Sequence, residues 1–383
     1  VALSAADLAR DTDWLIAPLA PAIEPGAPSY PLAGGPLRFS SFRVIAVSAR
    51  ERLAEETVPV HELDSWREGL PAPLRSRFDR RFSAVTAARA PLSRGASRDP
   101  LTLSRPRLMG VVNVTPDSFS DGGHFAETEA AIAHGEALIE AGADILDIGG
   151  ESTRPGAEPV PEPLERERVL PVIAALRGKA PAISIDSRKA AVLAAALEAG
   201  ADILNDVSAL TYDPKSLQVA AQTSAPVILM HARGDPAVMQ RNPDYADALV
   251  EIAGFLDERV TVCEAAGIAR ERLIVDPGIG FGKTVRHNLE LIGGLAALHS
   301  LATPVLLGAS RKRFIGALSR EERADRRMPG SIAAALAGAD RGAQILRVHD
   351  VGETAQALAV WQGLADTAGL RQVSQTAAGL SRA

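Results

Sequence analysis

From Leu108 onward the chain alternates short apolar runs, often β-branched, with longer stretches of helical periodicity, and it does so eight times. The runs are Leu108–Val114, Asp144–Ile148, Ala182–Ile185, Asp202–Leu204, Val227–Met230, Leu273–Val275, Val305–Leu307 and Gln344–Val348. Between and after them, helices are expected over Glu127–Ala141, Pro163–Arg177, Arg188–Ala199, Pro214–Thr223, Tyr245–Ala266, Val285–His299, Gly330–Arg341 and Val351–Thr367. Strict alternation of this kind predicts an α/β fold, a parallel (β/α)8 TIM barrel; an open doubly wound sheet is the competing architecture. An internal echo supports the count. Ala141-Gly-Ala-Asp-Ile-Leu146, Ala199-Gly-Ala-Asp-Ile-Leu204 and Arg341-Gly-Ala-Gln-Ile-Leu346 each end a helix on glycine and enter a strand by the same short turn.

A parallel barrel brings the C-terminal ends of all its strands to one mouth. Those ends read Asn113, Asp147, Asp186, Asn205 with Asp206, His231, Asp276, Ser310 to Lys312, and Arg347 with His349. A structural barrel could use a few as loop caps, but polar groups at all eight ends point to a site.

Two long motifs and several short ones fall at these ends. Asn113-Val-Thr-Pro-Asp-Ser-Phe-Ser-Asp-Gly-Gly123 follows the first strand and Gly149-Gly-Glu-Ser-Thr-Arg-Pro-Gly156 the second. Ile185-Asp-Ser187, Asn205-Asp206, Asp276-Pro-Gly-Ile-Gly-Phe-Gly-Lys283, Ser310-Arg-Lys312 and Arg347-Val-His349 come after them. In content and order the set resembles the dihydropteroate synthase family, over about residues 106–370. Departures are mild: Ser187 and Arg188 where the family often has Thr, Ile279 where it is often aromatic, and Arg313-Phe314 after the lysine.

The resemblance implies a transferase that joins a dihydropterin pyrophosphate to p-aminobenzoate. It assigns Lys312, Asp186, Asn113 and Arg347 to catalysis, and Asp186, Asn205, Val207, Met230, Asp276 and Lys312 to the pterin. Carboxylates accept the N–H groups of the pterin edge, and the lysine donates to its carbonyl. Asp186 also fits an N-cap of the helix after it, and Asp276 a turn former. Pyrophosphate would fall to Asn113, Arg154, Arg347 and His349, with Asn113 a ligand of Mg2+. The arylamine pocket would use Phe119, Thr153, Pro155, Phe281 and Ser310; anchoring its loop on the rim is the lesser reading of Phe119. The two signature loops, Thr115–His124 and Ser152–Ala157, have the composition of lids that exclude water. A methyltetrahydrofolate-binding methyltransferase domain and a non-catalytic pterin-binding relative are the rival readings. The first has no use for a pyrophosphate cradle, and the second would not need complete signature loops. Gly278-Ile-Gly-Phe-Gly-Lys283 lacks the spacing of a nucleotide-binding phosphate loop.

The other features set bounds. A net charge of −6 offers no footprint for nucleic acid, so anionic substrates must be met by locally placed cations. The single cysteine, Cys263, excludes an internal disulfide and reads as a buried helix residue. No run approaches membrane-spanning length; a cytoplasmic protein is expected, and from the family a homodimer. Residues 1–104 carry no chemical motif and read as a small α/β extension, with strands at Leu37–Phe39 and Phe42–Val47, a helical stretch from Glu62 to Ala88, and a linker over Pro91–Pro106. The barrel is expected over 105–375 and a tail over 376–383, so a chain truncated before Ser104 should still fold.

Overall fold

The computed structural model describes residues 8, 11–19, 28–94, 98–115, 123–152, 159–234 and 243–367. The N-terminal part is a small α/β unit. Strand β1 (Asp13–Pro18) is followed by the short pair β2 (Tyr30–Pro31) and β3 (Arg38–Phe39), then β4 (Ser41–Ser48) and β5 (Glu51–Pro59). β1, β4 and β5 form an antiparallel sheet with β4 in the centre. Two of these strands escape the sequence reading: β1 is short and ends on proline, and β5 is an edge strand whose charged residues hide any apolar alternation. The expected helical stretch is two helices, α1 (Leu63–Glu68) and α2 (Ala72–Thr86). Gly69 ends the first, and the segment through Pro71 starts the second.

Side-chain alternation makes this sheet two-sided. Trp14, Ile16, Phe42 and Val44 face α1 and α2 in an aromatic core with Phe39 and Phe78. Leu15, Ala17 and Ile45 point the other way and join the outer core of the second unit.

That unit is the eight-stranded parallel barrel. Its strands are β6 (Arg107–Asn113), β7 (Ile145–Gly149), β8 (Ile183–Asp186), β9 (Ile203–Asp206), β10 (Val227–Met230), β11 (Leu273–Asp276), β12 (Leu306–Leu307) and β13 (Ile345–Val348). Each pairs with its sequence neighbour, β13 pairs with β6, and the bridge Val275↔Val305 joins β11 to the approach of β12. Outside lie α3 (Gly123–Glu140), α4 (Glu162–Leu176), α5 (Ala190–Ala199), α6 (Ser216–Ala221), α7 (Ala248–Ala265), α8 (Val285–Gly293), α9 (Arg313–Leu318), α10 (Met328–Ala339) and α11 (Val351–Thr367). The helix expected to run to His299 stops at Gly293 and continues as a tighter 3-10 turn over Leu295–Leu301. Helix α9 was not anticipated.

The barrel floor is a layer of Met109, Ile145, Ala182, Ile203, Ile228, Ile274, Leu306 and Ile345. Leu92 and Leu101 close it from below, paired in an antiparallel bridge. The segment that reads as a linker is therefore a plug. At the same end the echoed turns show their purpose. Gly142, Gly200 and Gly342 have φ of 98°, 119° and 81°, the left-handed geometry that ends a helix. The polar residue two positions on then finishes a neighbouring strand: Asp144 accepts from Leu108 N at 3.0 Å, Asp202 from Ile183 N at 2.8 Å and Gln344 from Val305 N at 2.7 Å.

Candidate active site

Two residues above the apolar floor, the period of a strand places Asp147, Ser184, Asn205, Met230, Asp276 and Arg347 on the inner wall. The change from apolar to polar in one layer marks the floor of a site. Asp147 is fully buried, and Arg347 meets it with Nε at 2.6 Å from Oδ2. The same guanidinium donates through Nη2 to Asp186 Oδ2 at 2.8 Å. Asn205 Nδ2 donates to both oxygens of Asp147, at 3.2 and 3.1 Å. Asp276 Oδ1 accepts from Gly278 N at 2.7 Å, so it does form the turn. Its other oxygen faces the same gap as Arg347, since a Cβ on Gly308 would lie 3.8 Å from each. Burial pushes the Asp186 carboxyl up to about 7, reinforced by Asp147 and opposed by Arg347. Burial also raises Asp276, against the Gly278 N–H.

Lys312 enters from the start of α9, with Nζ 4.0 Å from the centroid of the Phe281 ring. Its side chain passes Gly280 so closely that a Cβ there would sit 2.9 Å from Lys312 Cδ, and Gly280 has φ 82°. Burial, then Arg347, lowers the ammonium to about 8. At the rim, Ser310 Oγ accepts from His349 N at 3.2 Å and lies 3.0 Å from His349 Nδ1. Asn113 ends β6 half-buried, Met230 ends β10 buried, and Val207 is half-buried just past β9.

Several expectations change here. Asp186 does not cap α5, whose cap residue is Lys189; its carboxylate is taken by Arg347. Arg347 and His349 have different partners in this structure: the arginine turns inward to two carboxylates and the histidine pairs with Ser310. Phe119, Thr153, Arg154 and Pro155, and most of both signature loops, lie outside the described residues. Sequence reasoning gave Asp147 no role, although its strand-end position was the available signal. It also missed Ser184, whose buried hydroxyl has no partner among the described residues, and Lys283. The base of the second signature is bolted down by Glu151, which accepts from Arg188 Nη2 at 2.8 Å and from Lys189.

The model of the pterin binding enzyme family matches residues 109–349. A dihydropteroate synthase of Neisseria meningitidis serogroup B is 48% identical over 274 residues, covering 70% of this chain and 96% of that one. The chain belongs to the dihydropteroate synthase family. A solved Xanthomonas albilineans dihydropteroate synthase with 4-aminobenzoic acid is 51% identical, with TM-score 0.66, over 69% of this chain and 94% of that one. A Yersinia pestis dihydropteroate synthase in complex with a sulfonamide drug is 44% identical, with TM-score 0.67, over 71% and 98%. Dihydropteroate synthases are transferases, and the family match leaves the residues before 109 outside it. No described helix is long and apolar enough to cross a membrane.

Proposed function

We propose that this chain joins 6-hydroxymethyl-7,8-dihydropterin pyrophosphate to p-aminobenzoate, giving 7,8-dihydropteroate and pyrophosphate. The observation that carries the reading is the inner polar layer, where Asp147, Asp186, Asn205 and Asp276 surround Arg347 below Lys312. Three carboxylates against two cations leave an excess of acceptors. A pterin edge, rich in N–H donors, meets that excess, and its carbonyl accepts a hydrogen bond from the Lys312 ammonium. Asp186, Asn205 and Asp276 then read the ring, while Met230 and Val207 line its faces. The relatives' complexes with 4-aminobenzoic acid and with a sulfonamide support the arylamine half, for which Phe281 and Ser310 form the described wall. Phe119, Thr153 and Pro155 complete that wall in this reading, and sulfonamides compete for it.

The C–O bond between the pterin methylene and pyrophosphate breaks, the pterin delocalises the cation, and the arylamine nitrogen forms the new C–N bond before losing a proton. Such a dissociative route needs preorganised charge and exclusion of water more than acid–base help. Arg347, His349, Arg154 and Asn113 take the departing anion. Among the described residues no group of three or more His, Cys, Asp or Glu side chains could hold a metal ion. A Mg2+ that keeps water and pyrophosphate oxygens as ligands needs little from the protein, and the half-buried amide of Asn113 fits that single-oxygen role. When bound, it would offset leaving-group charge.

A second copy of the chain is the proposed partner. Helices α10 and α11 expose an apolar groove lined by Met328, Ile332, Leu336, Val360, Trp361 and Leu364, and such a patch on a surface calls for a cover. The same reading places the reaction in the cytoplasm, in keeping with a lone buried thiol at Cys263. A coupled assay of pyrophosphate release tests the whole. Release that depends on p-aminobenzoate supports the reading; release without it, or none, rejects it.

A further inference from the structure

Lys283 is 3% exposed, and its three hydrogen-bond partners are all neutral. Nζ lies 3.0 Å from His231 Nδ1, 3.2 Å from His231 O and 2.9 Å from Phe281 O, which uses all three ammonium protons. With Lys283 as the ammonium, Nδ1 of His231 is the acceptor and the neutral ring carries its proton on Nε2; burial pushes that imidazole down to about 2. An ammonium in such surroundings is costly, and burial pushes Lys283 itself down to about 7. An unbranched apolar side chain would fill the same space without that penalty. What it could not do is tie the loop after β11 to the end of β10.

The object of that tie is the backbone around Phe281. Gly280 N donates to Asn288 Oδ1 at 2.7 Å, Phe281 O accepts from Lys283, and Gly282 O accepts from Tyr245 Oη at 3.1 Å. Three successive residues are held by three side chains, whereas the Phe281 ring is only half-buried. Its aim is therefore set through the main chain. We propose that Lys283 is a positioning residue for the arylamine: by fixing the Phe281 carbonyl to His231, it sets the plane of the aromatic wall beneath Lys312. This rests on the reading of Phe281 as part of the p-aminobenzoate pocket.

The test is steady-state kinetics on the full chain with Lys283→Met, Lys283→Gln and Phe281→Ala, alongside calorimetric binding of the pterin pyrophosphate alone. A misplaced wall costs the second substrate selectively. Lys283→Met should raise KM for p-aminobenzoate about tenfold or more while pterin affinity stays within about twofold, and Lys283→Gln, which keeps two donors, should fall between. A loss of thermal stability with KM for p-aminobenzoate unchanged would make Lys283 a plain structural staple and overturn the proposal. So would an equal loss of affinity for both substrates, or failure of both Lys283 variants to fold. Phe281→Ala separates the two layers of argument. If it leaves KM for p-aminobenzoate unchanged, the pocket reading itself is wrong and the Lys283 proposal goes with it. If it raises that KM and Lys283→Met does not, only the Lys283 proposal fails.

Discussion

At Arg347 one guanidinium meets two buried carboxylates, Asp147 and Asp186, and this sets how the site responds to protons. With Asp186 held up near 7, its oxygens are partly protonated below that pH and cannot accept from a pterin; with Lys312 held down near 8, it lacks its proton above that pH. The kcat/KM for the pterin should therefore rise through about 7 and fall through about 8, a narrow bell in a pH–rate profile. Binding should release a proton at the acid edge and take one up at the alkaline edge, which calorimetry in buffers of different ionisation enthalpy would read. Asp147→Asn removes the innermost charge and leaves Arg347 with one carboxylate fewer. Urea unfolding should show a loss of about 3 kcal/mol, and kcat/KM should drop by about 10²-fold. Asp186, Asn205 and Asp276, which sit at strand ends, and Lys312, which precedes α9, could be picked out because each lies inside a recognisable run. The role of Asp147 could not, since its decisive partner lies 200 residues away in sequence and no local pattern records the pairing.

Among the elements, the strands facing both a core and a helix layer were readable within a few residues, because they are nearly all apolar and the glycine turns punctuate them. Elements that owe their form to distant partners were not. The plug is the clearest case: Pro91–Pro106 has the composition of a connector, yet Leu92 is 1% exposed against the strand floor. Nothing in the segment itself announces that a barrel end is waiting for two leucines. Leu92→Ala should cost about 2–4 kcal/mol, seen as a lower urea midpoint at unchanged slope. Turnover of the molecules still folded should be unaltered, because the mouth lies at the opposite end. A large fall in kcat would show that floor and mouth are not independent.

For the molecule as a whole, the N-terminal unit is more than a passenger. Ile16 N donates to Ser300 Oγ at 2.9 Å, Arg81 joins Asp13 to Asp257, and Arg89 reaches Thr303 O and His299 O. Leu15, Ala17 and Ile45 lie in the barrel's own outer core. These contacts bear on the expectation that a chain truncated before Ser104 still folds, because such a chain gives up all of them. A chain starting at residue 90 keeps the plug and should fold with a lowered Tm; one starting at 105 also loses Leu92 and Leu101 and should be markedly less stable or aggregate. Thermal melts of the two would check the order. On the other flank, Val360 and Leu364 are 61% and 65% exposed. Val360→Glu should shift the protein toward monomers in light scattering if a second copy covers that groove. At the closed end of the barrel, the acid and amide oxygens of Asp144, Asp202 and Gln344 complete strand ends directly, so that rim needs only short turns. Room for added or altered loops is left at the open end alone. A chain built like this can acquire new chemistry there while its staves keep their footing.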